Sequence, residues 1–180
     1  PVGIDLVPDA LATKEISIGW PLAKGVLDES LDYWAFRSVI KAAYHASEPS
    51  WVKSGAAASQ VWRFVREMSE GDLIVVPYGS SFHVAEVVAG AVSYRPEYID
   101  RHAAFRRPVR WLTEDAPIPR AQARAALQSR MKTYNTCADA SDLVAEIKDA
   151  LGQPTTDLGE AGQSAQPQAR SFGGDLRTRL

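Results

Sequence analysis

The chain of 180 residues has a single cysteine, Cys137, so no disulfide can form within it and no thiolate cluster can hold a metal. A chain of this length can bury roughly two thirds of its unfolded surface and needs no such staple. Long apolar runs are also missing. Nothing approaches the roughly 18 residues of a membrane helix, and no basic stretch followed by an apolar one opens the sequence as a secretory signal would. The expectation is a reducing, cytoplasmic setting without a membrane partner. The three histidines, His45, His83 and His102, stand at unrelated spacings, so neither a metal site nor a cofactor is expected. There is no glycine-rich phosphate loop, Walker lysine or nucleophile elbow, and Gly79-Ser80-Ser81 reads as a turn. Glu146-Ile147-Lys148 matches the E-x-K of metal-dependent nucleases, but on an amphipathic helix both charges point outward. Asp28-Glu29 and Glu114-Asp115 read as helix-start and loop charges. No catalytic residue is assigned, and the chain is not expected to be an enzyme.

A large net charge is absent too: 20 basic and 22 acidic side chains leave -2, which argues against a strongly basic nucleic-acid-binding domain. The distribution is uneven. Residues 1–94 carry 7 basic and 11 acidic groups, 95–132 carry 9 and 4, and 133–180 carry 4 and 7. Eight of the nine basic residues in the middle block are arginine, whose planar donor fork suits phosphate and base edges. Such a run is also what a solvated face looks like. From Gly152 to Asp175 the chain is rich in Gly, Pro, Gln, Ser and Ala and cannot offset its ordering entropy by burial. The expected organisation is one domain over 1–151 and a flexible linker or tail over 152–180 leading to a further domain. The chain begins at Pro1 without a methionine, which fits an excised or processed fragment.

Between those ends, Glu15 to Trp20 (EISIGW) alternates like a strand. Ser30 is placed to cap a helix through Tyr33, Phe36, Ile40 and Tyr44. A second helix from about Ser54 stripes Ala57, Val61, Phe64, Val65 and Met68 and stops at Gly71. Trp62 lies about 100° from the centre of that stripe, at an edge facing a pocket or a seam. Asp72 to Pro77 (DLIVVP) is a continuous apolar run expected to be a strand buried on both faces, with Phe82 to Ala89 as its hairpin partner. Gly90 suggests a bulge that bends one long strand. In FRRPVRWL, Phe105, Arg107, Val109 and Trp111 point one way while Arg106, Pro108 and Arg110 point the other, and Pro108 suggests an edge strand or bulge. Pro119 is expected to open a short helix reaching about Arg130, and Ser141 to Leu151 a last one. The fold class is α+β: a small, strongly bent mixed sheet or pseudo-barrel flanked by helices. Trp34 and Trp111 are expected in the core. Trp20 ends its strand between Gly19 and Pro21, where its ring is either a lid on the core or the aromatic wall of a ligand pocket.

The ordered set EISIGW, Gln60-Val61-Trp62-Arg63-Phe64-Val65, Gly71-Asp72-Leu73-Ile74-Val75-Val76-Pro77, Val84-Ala85-Glu86-Val87 with Tyr94-Arg95-Pro96, and Arg107-Pro108-Val109-Arg110-Trp111-Leu112 resembles a PUA-superfamily domain. It is most similar to the EVE-like domains, related to YTH domains, that precede Mrr-type, modification-dependent restriction endonucleases. The resemblance spans about Glu15 to Leu112. It implies a bent barrel whose mouth admits one nucleobase, often methylated, flipped out of DNA. In the related YTH domains a tryptophan at the position matching Trp20 forms one wall of the cage. The segment near Tyr94, where this sequence has no tryptophan, would form another.

Trp20, Pro21, Trp62, Tyr94 and Trp51 are therefore the candidate base pocket, and Arg95, Arg101, His102, Arg106 and Arg110 the candidate contacts to the DNA backbone. Stacking is worth roughly 1–3 kcal/mol per base against a flipping cost of a few kcal/mol, so pocket and phosphate contacts must act together. The expected partners are double-stranded DNA carrying a modified base and a tethered nuclease domain or partner subunit, and a homodimer is compatible with both. RNA binding by a PUA-like module, or a regulatory protein-interaction domain whose arginines meet an acidic partner, are the alternatives.

Overall fold

Tyr78 and Ser81 face each other across a two-residue turn in which Gly79 has φ +55°, and the hairpin they close is the centre of the sheet. The computed structural model describes residues 5–113, 116–133 and 136–152; the expected linker from 153 onward and the pair Glu114-Asp115 lie outside these. In chain order the elements are α1 (Val7–Thr13), β1 (Glu15–Ile18), α2 (Tyr33–Tyr44), α3 (Val52–Trp62), β2 (Leu73–Tyr78) and β3 (Ser81–Val87). They are followed by β4 (Ser93–Tyr94), β5 (Phe105–Trp111), β6 (Ile118–Pro119), α4 (Ala125–Arg130) and α5 (Val144–Ala150). The strands run β1-β5-β3-β2, with β4 added beside β5 and β6 beside β3. Every pairing is antiparallel, so the expected mixed sheet is an antiparallel one, curled into a half-barrel and flanked by helices.

The curl comes from β5. On one side it pairs with β1 through residues 105–108; on the other it pairs with β4 at 105–106 and with β3 at 109–111. Between Val87 and Ser93 the second side is interrupted, and Pro108, which has no N–H to give, sits at the break. A proline therefore fits an interior strand, where the sequence pointed to an edge or bulge. Gly90, at φ +137°, closes the break: a Cβ there would stand 3.0 Å from Pro108 Cγ. Gly90→Ala is expected to cost about 1–3 kcal/mol through backbone strain and this contact, read as a lower thermal midpoint.

Two cores sit on the two faces of the sheet. The larger packs Ile16, Ile18, Phe105, Val109 and Trp111 against Phe36 and Ile40 of α2 and Ala57, Ala58 and Val61 of α3. The smaller packs Phe82 and Val84 against Leu127, Leu143 and Ile147. Strand β2 serves both, Ile74 and Val76 on the first and Leu73 and Val75 on the second, which is why its sequence is uninterrupted apolar. It is nonetheless only half-buried, because it is an edge strand.

Several local expectations shift. Asp32, not Ser30, caps α2, its carboxylate accepting from Ala35 N at 2.8 Å, while Ser30 closes a turn on Asp28. The second helix changes to a π segment at Arg63–Glu67, where Met68 N donates to Arg63 O, five residues back. Its end is at Glu67; Gly71 instead donates to Val87 O at the entry to β2. Pro119 belongs to β6, and α4 begins only at Ala125. Trp111 is buried as expected, but Trp34 is 67% exposed. Among the described residues no helix is long and apolar enough to cross a membrane.

Candidate nucleic-acid interface

Six of the eight arginines in the arginine-rich block are paired in space with acids from other elements, while Arg107 and Arg120 bond backbone carbonyls. Arg95 reaches Glu15 at 2.5 Å, Arg101 reaches Asp9 at 3.1 Å and Arg110 reaches Glu86 at 2.6 Å. Arg124 pairs with Asp149, and Arg130 with Asp142 at 2.9 Å. Arg106 contradicts its assignment as a backbone contact, since its side chain is only 1% exposed. It bonds Asp9, Glu15 Oε2 at 3.2 Å, Thr13 Oγ1 at 3.2 Å and Ala103 O at 3.3 Å, and its guanidinium lies 3.8 Å from the centre of the Tyr98 ring. Arg106 does alternate outward on β5, but α1, whose short stripe of Val7, Ala10 and Leu11 is only half-buried, covers that face through Asp9 and Thr13. Burial tends to raise the Asp9 carboxyl, yet Arg106 and Arg101 together hold it below its ordinary value. Arg107, on the inward set, donates to Val65 O at 3.3 Å, and burial draws its guanidinium below the usual value.

The sequence-predicted pocket is gathered in part. Strand β1 ends at Ile18, and two residues later Trp20 adopts φ +64°, a left-handed conformation that costs a residue with a Cβ roughly 1–2 kcal/mol. The following turn holds it: Ala23 N donates to Trp20 O at 3.1 Å, Leu22 N to Tyr44 Oη at 2.8 Å, and Tyr94 Oη to Pro21 O at 3.0 Å. Burial pushes the Tyr44 phenol up. The Tyr94 ring meets Phe105 edge-on at 5.3 Å and Lys24 Nζ stands 5.4 Å from its centre. His102, exposed, also has positive φ, +55°, and its carbonyl oxygen would stand 3.9 Å from a Cβ on Gly19. Trp20, Pro21, Tyr94 and His102, with Arg95 and Arg101 next in chain to two of them, thus share one end of the β1–β5–β4 ladder. Of the three non-glycine residues with positive φ among the described residues, two fall here.

Trp62 and Trp51 make their contacts on the helices instead of at this end. Trp62 stands edge-on to Tyr33 at 5.4 Å and to Phe36 at 5.1 Å, and Trp51 lies 5.0 Å from the Arg37 guanidinium and 5.0 Å from Lys41 Nζ.

A cleft of about 460 Å³ opens along the seam between β1 and β2, the two free edges of the half-barrel. Residues 16–18 and 73–77 form its sides, and Phe64, Met68 and Cys137 contribute to its lining. None of the five expected pocket residues lines it. Sequence reasoning missed it because the two strands stand more than fifty residues apart and approach only through the curl. Arg63 Nη1 donates to Cys137 O at 2.8 Å, and burial pushes the Cys137 thiol up, away from reactivity. Among the described residues no three His, Cys, Asp or Glu side chains are grouped to hold a metal.

No curated protein and no solved structure matches the chain. A family model described as "Domain of unknown function (DUF8426)" matches residues 5–137, a span that runs from α1 to Cys137 and contains the whole Trp20 end, and the chain belongs to that family.

Proposed function

We propose that this domain is a nucleic-acid reader that takes a modified, flipped base of duplex DNA against Trp20 at the open end of the half-barrel. The PUA/EVE-like resemblance suggests the partner class. The observation that carries the reading is the left-handed Trp20: a large aromatic, half-buried against the edge of the larger core and held at an energetic cost, beside His102, which is exposed and also has positive φ. Strain of this kind persists where the surroundings over-determine it, and it clusters at ligand sites. Tyr94 and Pro21 buttress the ring's turn, while Arg95 and Arg101, each partly exposed, can turn to a phosphate because Arg106 stays bonded to both of their acid partners, Glu15 and Asp9. The largely acid-paired arginine block makes the footprint small and the selectivity dependent on the base. In this reading the chain works in the cytoplasm as the sensor of a restriction system, alone or as a homodimer, and delivers a nuclease domain or subunit that carries the chemistry.

Anisotropy titrations with duplexes that differ only by one N6-methyladenine or one modified cytosine, at fixed salt, test it. One modified duplex should bind at least tenfold more tightly than its unmodified twin. Equal, weak and salt-insensitive binding of all would sink the reading. Structured or single-stranded RNA that outcompetes every duplex would replace DNA by RNA as the partner.

Arg110, 63% exposed and paired with Glu86, separates phosphate contacts from base reading. Arg110→Ala should weaken all duplexes alike by a few-fold and lower the salt slope by about 1, while stability changes by less than about 1 kcal/mol. A loss confined to the modified duplex would contradict this role.

A further inference from the structure

We infer that the exposed face of α2 and α3 is a second nucleic-acid surface, built to stack unpaired nucleotides on Trp34 and Trp51. Trp34 is 67% and Trp51 43% exposed, far above what large aromatics show when they serve a core. The Arg37 guanidinium stands 5.6 Å from the centre of one ring and 5.0 Å from the other, and Lys41 Nζ 5.0 Å from Trp51. Gly55 makes room for that guanidinium: a Cβ there would meet Arg37 Nη2 at 3.0 Å and Cζ at 3.2 Å. A glycine inside α3 weakens the helix, so seating Arg37 between the rings is retained against a cost in stability.

Charge points to the occupant. Residues 33–56 carry Arg37, Lys41 and Lys53 against one acid, Glu48, which pairs with Lys53. Among the described residues neither Arg37 nor Lys41 has a carboxylate within ion-pairing distance; both donate to backbone carbonyls instead. This reverses the tally along the chain, because most of the block richest in arginine is paired with acids while Arg37 and Lys41, in the acidic N-terminal part, lie against exposed indoles with no carboxylate in ion-pairing distance among the described residues. Aromatic faces interleaved with cations bind unpaired bases whatever their sequence, and every nucleotide supplies one ring and one phosphate. An acidic peptide would match the cations but would leave the two indole faces unused.

The test is anisotropy with an unmodified, fluorescently labelled single strand of about twelve nucleotides, a typical site size for such platforms. The strand lacks the modified base and the duplex that the Trp20 reading requires, and loss of binding in the Trp34 and Trp51 variants is what assigns it to this face. The parent should bind with strong salt dependence. Trp34→Ala and Trp51→Ala should each weaken binding by about fivefold or more, and Arg37→Gln should reduce the salt slope. Lys148→Ala, an equal loss of charge on the exposed side of α5, should bind like the parent. Thermal melts check folding; Trp34→Ala, which removes an exposed ring, keeps the test valid if a second variant is unstable. No binding by the parent at low salt, unchanged binding by folded Trp34→Ala and Trp51→Ala, or displacement of the strand by a lower concentration of polyglutamate would each overturn the proposal.

Discussion

Arg106→Met is expected to lower stability at neutral pH by about 3 kcal/mol, on the order of 10 °C in the thermal midpoint of a domain this size. The guanidinium is fully buried and serves Asp9, Glu15, Thr13 and the Tyr98 ring together. Methionine fills much of the volume but leaves two largely buried carboxylates facing each other, with only the more exposed Arg95 and Arg101 to compensate. The pH dependence is a second signature. Asp9 titrates below its ordinary 3.8 in the folded state, so its ion pairs contribute stability above that value, and the contribution is lost as pH falls through the lowered one. Urea melts should therefore show a wide gap between parent and variant at neutral pH, narrowing only below pH 3.8, as Asp9 becomes protonated at its lowered value. Asp9→Asn in the Arg106→Met background should cost less than it does alone, since the two residues share one network. A variant as stable as the parent at neutral pH would show that Arg106 is dispensable to the fold and reopen it as a ligand contact.

Arg106 also shows where the sequence could and could not be read. Its alternation on β5 was legible, as were the hairpin at Gly79 and the inward set ending in Trp111, because a two-residue period and a tight turn are local signals. What covers Arg106 was not legible: α1 is seven residues long, and its stripe of Val7, Ala10 and Leu11 spans barely one turn and is only half-buried, too short a signal to mark a helix. The same limit applies to Trp34, whose neighbours Tyr33 and Phe36 made a core position plausible although the ring points outward. The apolar run of β2 was rightly read as packed on both faces. Its open edge, and the cleft beside it, depend on where β1 arrives after the sheet has curled.

Trp20→Ala is expected to remove most discrimination between modified and unmodified duplexes, a loss of about 5- to 150-fold in affinity for the modified one if a base stacks on the indole. Alanine also occupies the left-handed position with a Cβ, so it does not relieve the backbone, and the variant tests the ring itself. Trp20→Phe should keep part of the preference, because a smaller π face still stacks. Weak binding to unmodified DNA should survive in both variants, since Arg95, Arg101 and Arg110 are untouched.

The decisive measurement is the ratio of affinities of the parent domain, and of Trp20→Ala, for two duplexes identical except for one modified base. The account predicts a ratio of ten or more for the parent with the preferred modification, falling to about one in the variant while the thermal midpoint stays within a few degrees. A parent ratio of one for adenine and cytosine modifications alike, or a ratio that Trp20→Ala leaves unchanged, would contradict it.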